Sequence, residues 1–169
     1  MPHTFTRIYI HLVFAVEGRQ SLIDGSFKEN LYRYIAGILQ RRNQKLIAIN
    51  GMPDHIHLPI GYNPTGSLSD LVRDVKAFSS KQINDSRWVR GTFRWQRGFG
   101  AFSYSRSRLS SVIRYIENQE EHHRRRNFRE EYIALLDRFE GDVTQRIPNG
   151  AELLVEPAEG RVTILDATG

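Results

Sequence analysis

The order of elements in this chain predicts an α+β fold: an antiparallel sheet with two helices on one face and a further C-terminal helix appended. Three observations carry it. Runs rich in β-branched and aromatic residues recur at 6–16, 45–50, 55–62, 92–96 and 101–105. Two stretches of helical period separate them, up to about 42 and over 67–84, and a third follows at about 107–123. The succession β-α-β-β-α-β is the ferredoxin-like (RRM-like) pattern, whose open sheet face is a platform for a nucleic-acid strand.

The strand at 6–16 (TRIYIHLVFAV) reads as long and mostly buried. Asp24 or Ser26 would cap the first helix, which places Phe27, Leu31, Ile35 and Ile38/Leu39 on one stripe. The short strand KLIAIN turns through Gly51-Met52-Pro53-Asp54 into HIHLPIGY. There Pro59 removes one ladder donor, which implies an edge or a bulge nearby. The second helix has Leu68, Leu71, Val72, Val75 and Phe78 on its stripe, the third Leu109, Val112, Ile113 and Ile116. A helix is expected at 128–139, and LLVE and RVTIL as short strands beyond it. The expected division is one domain over 1–140 and an acidic tail over 141–169.

The 169 residues suffice for one domain, and 40% hydrophobic with 25% charged residues excludes wholesale disorder. With no cysteine, a disulfide scaffold, a cysteine nucleophile, a zinc finger and an iron–sulfur site are excluded. No apolar run approaches the ~20 residues of a membrane helix. Arg7, His3 and His11 make the N-terminus a poor signal peptide. A reducing cytoplasm and no membrane partner are therefore expected. Net charge is +5, and it is uneven: residues 1–140 carry 22 basic against 14 acidic side chains, residues 141–169 carry 2 against 5. That asymmetry suggests a polyanionic partner. Phosphate-loop, dinucleotide and nucleophile-elbow motifs are missing.

Three constellations bear on chemistry. His55 and His57 alternate on a strand, so they share a face about 6.5–7 Å apart and can bind one divalent cation. Asp54 just before them either orients an imidazole or serves the turn. On the third helix Tyr115, Gln119 and His122 share a stripe at i, i+4 and i+7, which looks like a site wall. A tyrosine hydroxyl is a competent nucleophile toward phosphorus when a metal polarises the phosphate. Residues 87–114 hold Arg87, Arg90, Arg94, Arg97, Arg106, Arg108 and Arg114 with no acid, interleaved with aromatics including Trp95. Arginine for phosphate and rings for unstacked bases is the chemistry of single-strand binding. Arg124-Arg125-Arg126 extends the patch.

HLVFAV at 11–16, MPDHIHLPI at 52–60 and the long stretch WQRGFGAFSYSRSRLSSVIRYIENQEEHHRRRNFREEY at 95–132 carry a family resemblance. Over about residues 5–140 the chain resembles the single-tyrosine insertion-sequence transposases of the IS two-hundred type, within the HUH (His-hydrophobic-His) endonucleases. The resemblance implies that His55, His57 and Gln119 hold Mg²⁺ or Mn²⁺ and that Tyr115 is the nucleophile. Asp54 and His122 would support them. It implies no nucleotide cofactor, recognition of hairpins, and cleavage and rejoining of single-stranded DNA through a 5′-phosphotyrosine. It also implies a homodimer with composite active sites. Departures are Glu17-Gly18-Arg19, where basic residues are common, Pro59, where an aliphatic is usual, and the tail. The competing reading is a non-catalytic nucleic-acid-binding protein of the same fold; the coexistence of His55, His57, Tyr115 and Gln119 separates a pure binding module from the enzyme, whereas a domesticated descendant would keep the same four residues.

Overall fold

A computed structural model describes residues 4–119, positions 121, 130 and 134, and the backbone of two strands in the tail. The elements run β1 (Ile8–Ala15), α1 (Lys28–Arg41), β2 (Lys45–Leu46), β3 (Asn50–Met52), β4 (His55–Tyr62), α2 (Leu68–Asp85), β5 (Gly100–Tyr104), α3 (Leu109–Glu117), β6 (Glu152–Val155) and β7 (Val162–Leu165). The main sheet is antiparallel in the order β2-β4-β1-β5, with β3 beside β4 on the β2 side. This is the predicted ferredoxin-like order. The tail strands pair as a separate hairpin, as LLVE and RVTIL suggested.

The α1 and α2 stripes meet Leu12, Phe14, Ile56, Leu58 and Ile60 in one apolar core. Ser67 caps α2 by accepting from Asp70 N at 3.0 Å. Neither residue expected to cap α1 does so: Asp24 accepts from Ser26 N and Oγ in a turn before the helix, and Phe27 is the N-cap. Phe78, expected in the α2 stripe, is 45% exposed, and Ser79 and Ile83 are buried instead. At the other end of the chemical scale, Asp70 and Asp74 both meet Arg73, and Asp74 also meets Arg42.

The expected strand 45–50 is broken in two, and Pro59 explains the break. Leu46 pairs with Ile60 and Asn50 with His57, so the partner of β4 contains one extra residue between them. The Pro59 carbonyl accepts from Ile47 N at 3.0 Å, so the donor that proline lacks would have faced this interrupted side. The bulge expectation holds; the edge expectation does not, because β4 is interior.

Residues 92–96 do not form a strand. They make one bridge, Val16 to Trp95, because β1 ends there in a 3-10 turn. Side chains of α2 satisfy the segment instead: Asn84 donates to Phe93 O and accepts from Phe93 N, and Lys76 donates to Gln96 O. The third helix begins as a 3-10 turn at Arg106–Arg108 and runs regularly only to Glu117, with Gln119 helical beyond Asn118. Of the helix expected at 128–139 only positions 130 and 134 are described, both helical; the run 124–126 and His122 lie outside the described residues.

Candidate active site

The histidine-bearing face of the sheet is the one opposite α1 and α2. Strand parity puts His55 and His57 on it, together with His11 and Val13 of β1 and Phe102 of β5, their neighbours in register. The β3–β4 hairpin that starts β4 turns through Pro53 and Asp54, and it needs Gly51: a Cβ there would lie 2.2 Å from the His55 carbonyl oxygen. Helix α3 covers this face with Val112 and Ile116 buried. Asn50, the register partner of His57, donates from Nδ2 to the Ile116 and Glu117 carbonyls at 2.9 and 3.3 Å, tying the end of α3 to the sheet.

Three polar side chains are brought together out of solvent. His55, His57 and Gln119 are each 0% exposed. The two imidazole centroids are 5.1 Å apart and nearly perpendicular. His55 Nδ1 lies 2.7 Å from Asp54 Oδ1. An ionised carboxylate can only accept, so Nδ1 is the donor. Asp54 thus stands in the hairpin turn and in hydrogen-bond contact with His55 at once. Tyr115 is half-buried, its ring edge-on to His57 at 6.0 Å between centroids. Gln119 Nε2 donates to the Tyr115 carbonyl at 3.4 Å, so the two residues stand one helical turn apart and the amide oxygen is directed away from that carbonyl.

Among the described residues no three His, Cys, Asp or Glu side chains group as a metal site; His55, His57 and Gln119 are buried together, with His11 behind His57.

Two neighbours escaped the sequence reading. His11, 0% exposed, sets its Nε2 2.8 Å from His57 Nδ1 and lies against the rings of Phe102 and Tyr104. Its one visible signal was a histidine inside an otherwise apolar strand. Asn50 gave none.

The basic segment divides. Arg87, Arg90, Arg94, Arg97, Arg106 and Arg108 are exposed. Trp95, expected among the DNA-binding residues, is core instead: it is 9% exposed, its indole donates to Ser79 Oγ at 2.9 Å, and Phe14 and Phe93 pack against it edge-on. A ring so enclosed has no face for a base.

No described helix is long and apolar enough to cross a membrane. Residues 4–119 match the family model described as "Transposase IS200 like". The chain is 24% identical over 116 residues to the ISDra2 transposase TnpA of Deinococcus radiodurans, an alignment covering 64% of this chain and 81% of that protein. Two solved structures are similar in fold. A transposase-like protein from Deinococcus radiodurans R1 gives a TM-score of 0.56 at 22% identity over 70% of this chain and 95% of that one. A REP-associated tyrosine transposase bound to a REP hairpin gives 0.54 at 16% identity over 73% of each. With the family match spanning most of its length, the chain belongs to the IS200-like transposases.

Proposed function

We propose that this protein cuts single-stranded DNA beside hairpins and rejoins it through a 5′-phosphotyrosine at Tyr115. One observation carries the reading: two buried histidines, a buried glutamine and a tyrosine converge on one sheet face. A module that only binds nucleic acid has no use for the four together. The hairpin bound to a structural relative supports the choice of DNA.

The donor set fits a divalent ion: two imidazoles and an amide oxygen, buried on a strand and a helix that Asn50 ties together. His55, His57 and Gln119 would hold it. When bound, Mg²⁺ or Mn²⁺ would polarise the scissile phosphate and offset charge on the departing oxygen. The protein's own groups do the rest. Asp54 would hold the His55 tautomer, and His11, whose Nε2 lies 2.8 Å from His57 Nδ1, would hold that of His57 by accepting from it. The Tyr115 hydroxyl loses its proton and attacks phosphorus; the O–P bond forms as the bond to the 3′-oxygen breaks, and that oxygen leaves as a hydroxyl. Attack by a 3′-hydroxyl reverses the step, so no nucleotide cofactor is needed. The exposed arginines of the 87–108 segment supply phosphate contacts.

A homodimer with composite sites is part of the proposal. Its support is the family to which the chain belongs. It is not the apolar strand IYIHLVF, because β1 is interior. Light scattering should report a dimer; a fully active monomer would remove this part.

The test of the chemistry is incubation with Mg²⁺ or Mn²⁺ and labelled hairpin-bearing single strands, followed by a denaturing gel. The wild type should form a covalent adduct, and Tyr115→Phe should bind the DNA and form none. Undiminished adduct in the variant would place the nucleophile elsewhere.

A further inference from the structure

At the end of the sheet remote from His55, the chain ahead of β1, β2 and the end of β4 enclose a cleft of about 810 Å³. Arg7, Lys45 and Arg106 line it with Tyr9 and Tyr62, and its described lining contains no carboxylate. Lys45, Gly61 and Tyr9 are register partners across three adjacent strands. By parity they lie on the same face as His11 and His57. Gly61 has no side chain, which leaves a notch between Lys45 and Tyr9; a Cβ there would meet Lys45 Cβ at 3.3 Å.

Both walls are built. On one, Gln44 donates to Asn63 O at 2.9 Å and accepts from Asn63 N at 2.8 Å, while the Tyr62 hydroxyl donates to Gly66 O at 2.7 Å. On the other stands Arg7, its guanidinium 5.6 Å from the ring centroid of Phe5, an 81% exposed side chain outside the lining. Four residues of β4 separate Gly61 from His57, about 13 Å. Arg106 stands just ahead of α3, the helix that carries Tyr115.

We propose that this cleft holds a single-stranded stretch of the DNA being cut, with phosphates on Arg7, Lys45 and Arg106 and an unstacked base against the Tyr9 ring. Three cations without a carboxylate select a polyanion, and a ring selects a base that is not already stacked in a duplex. The inference rests on the proposed function for the identity of the strand, but it is measured by binding alone.

The experiment is fluorescence anisotropy over a salt series with three labelled DNAs: a hairpin with a single-stranded extension of about six nucleotides, the same hairpin without it, and a blunt duplex. Wild type is compared with Arg7→Ala/Lys45→Ala and with Arg7→Lys/Lys45→Arg. On the extended hairpin the alanine pair should flatten the log–log salt slope by about 1.4, at roughly 0.7 per phosphate contact, and the charge-conserving pair should keep it. The other two DNAs should show little difference. An unchanged slope on the extended hairpin, an equal loss on the blunt duplex, or an equal loss in the charge-conserving pair would overturn the proposal, as would failure of the wild type to bind any of the three. Adduct formation read on the same DNAs separates the two ideas. Wild-type binding with no adduct counts against strand cutting and leaves the cleft standing; an adduct with an unchanged slope counts against the cleft alone.

Discussion

His57 and Leu58 follow one another on β4 and face opposite ways, and the two sides of the sheet they serve are built differently. Leu58 enters a face where Leu12, Phe14, Ile56 and Ile60 meet the stripes of α1 and α2. Apolar burial is non-directional, so that face is held by area and shape. His57 enters a face where His11, His55 and Gln119 are as deeply buried as any leucine. Buried polar groups must be oriented to be tolerated, and here Asp54, His11 and the Tyr115 carbonyl do the orienting. One face therefore supplies stability, and the other uses part of it to fix directions.

The largest expected effect is loss of function without loss of fold. His57→Ala should abolish strand cutting at any practical Mg²⁺ or Mn²⁺ concentration, while costing only about 1–3 kcal/mol of stability for the hydrogen bond it removes. Cutting by this variant, or by the wild type in excess EDTA, would dissolve the contrast between the faces.

Leu58→Ala is the mirror experiment. It should cost about 2–5 kcal/mol, as large-to-small core changes do, lowering the melting temperature by roughly 5–15 °C. Adduct formation should persist below the new transition. A variant that melts normally would show that the α1/α2 face is not the stabilising one.

A smaller effect belongs to the tie between sheet and helix. Asn50→Ala removes the donor to the last carbonyls of α3 and should cost about 1 kcal/mol. Hydrogen exchange should quicken in α3 and not in α1, and adduct yield should fall further than stability does. Equal exchange in both helices would make Asn50 incidental.

The smallest is Tyr32→Phe on the core side. The Tyr32 hydroxyl is buried with no hydrogen-bond partner among the described residues, and burial, with Glu29 adding, pushes its pKa up. Removing it should leave the melting temperature unchanged or raise stability by up to about 1 kcal/mol. Because the folded pKa lies above the unfolded 10.0, wild-type stability should fall as pH rises beyond that value, and the variant should lose less. A clear destabilisation would mean that the hydroxyl has a partner after all.

Periodicity alone made much of the site legible. A strand's period of two puts His55 and His57 on one face, and a helix's 3.6 puts Gln119 a turn beyond Tyr115. Both statements survive in the structure. The helix stripes were legible for the same reason, except at Phe78, which is exposed while the buried stripe continues one position on, at Ser79 and Ile83. Composition misled at Trp95: an aromatic among arginines looks like a base platform, yet whether its faces are open depends on Ser79, Phe14 and Phe93, which come from other elements.

By itself, then, the sequence determined the element types, the parity of the histidines and the helical spacing of Tyr115 and Gln119, because backbone geometry imposes those periods locally. Only the tertiary structure decided that His11 stands beside His57, 46 residues away, that Asn50 reaches α3, and that Lys45, Gly61 and Tyr9 line up across three strands. Each depends on strand register. Register is chosen by the packing of the opposite face and by the one-residue bulge beside Pro59; Pro59 signals that a bulge is near, but not which residues it brings opposite one another.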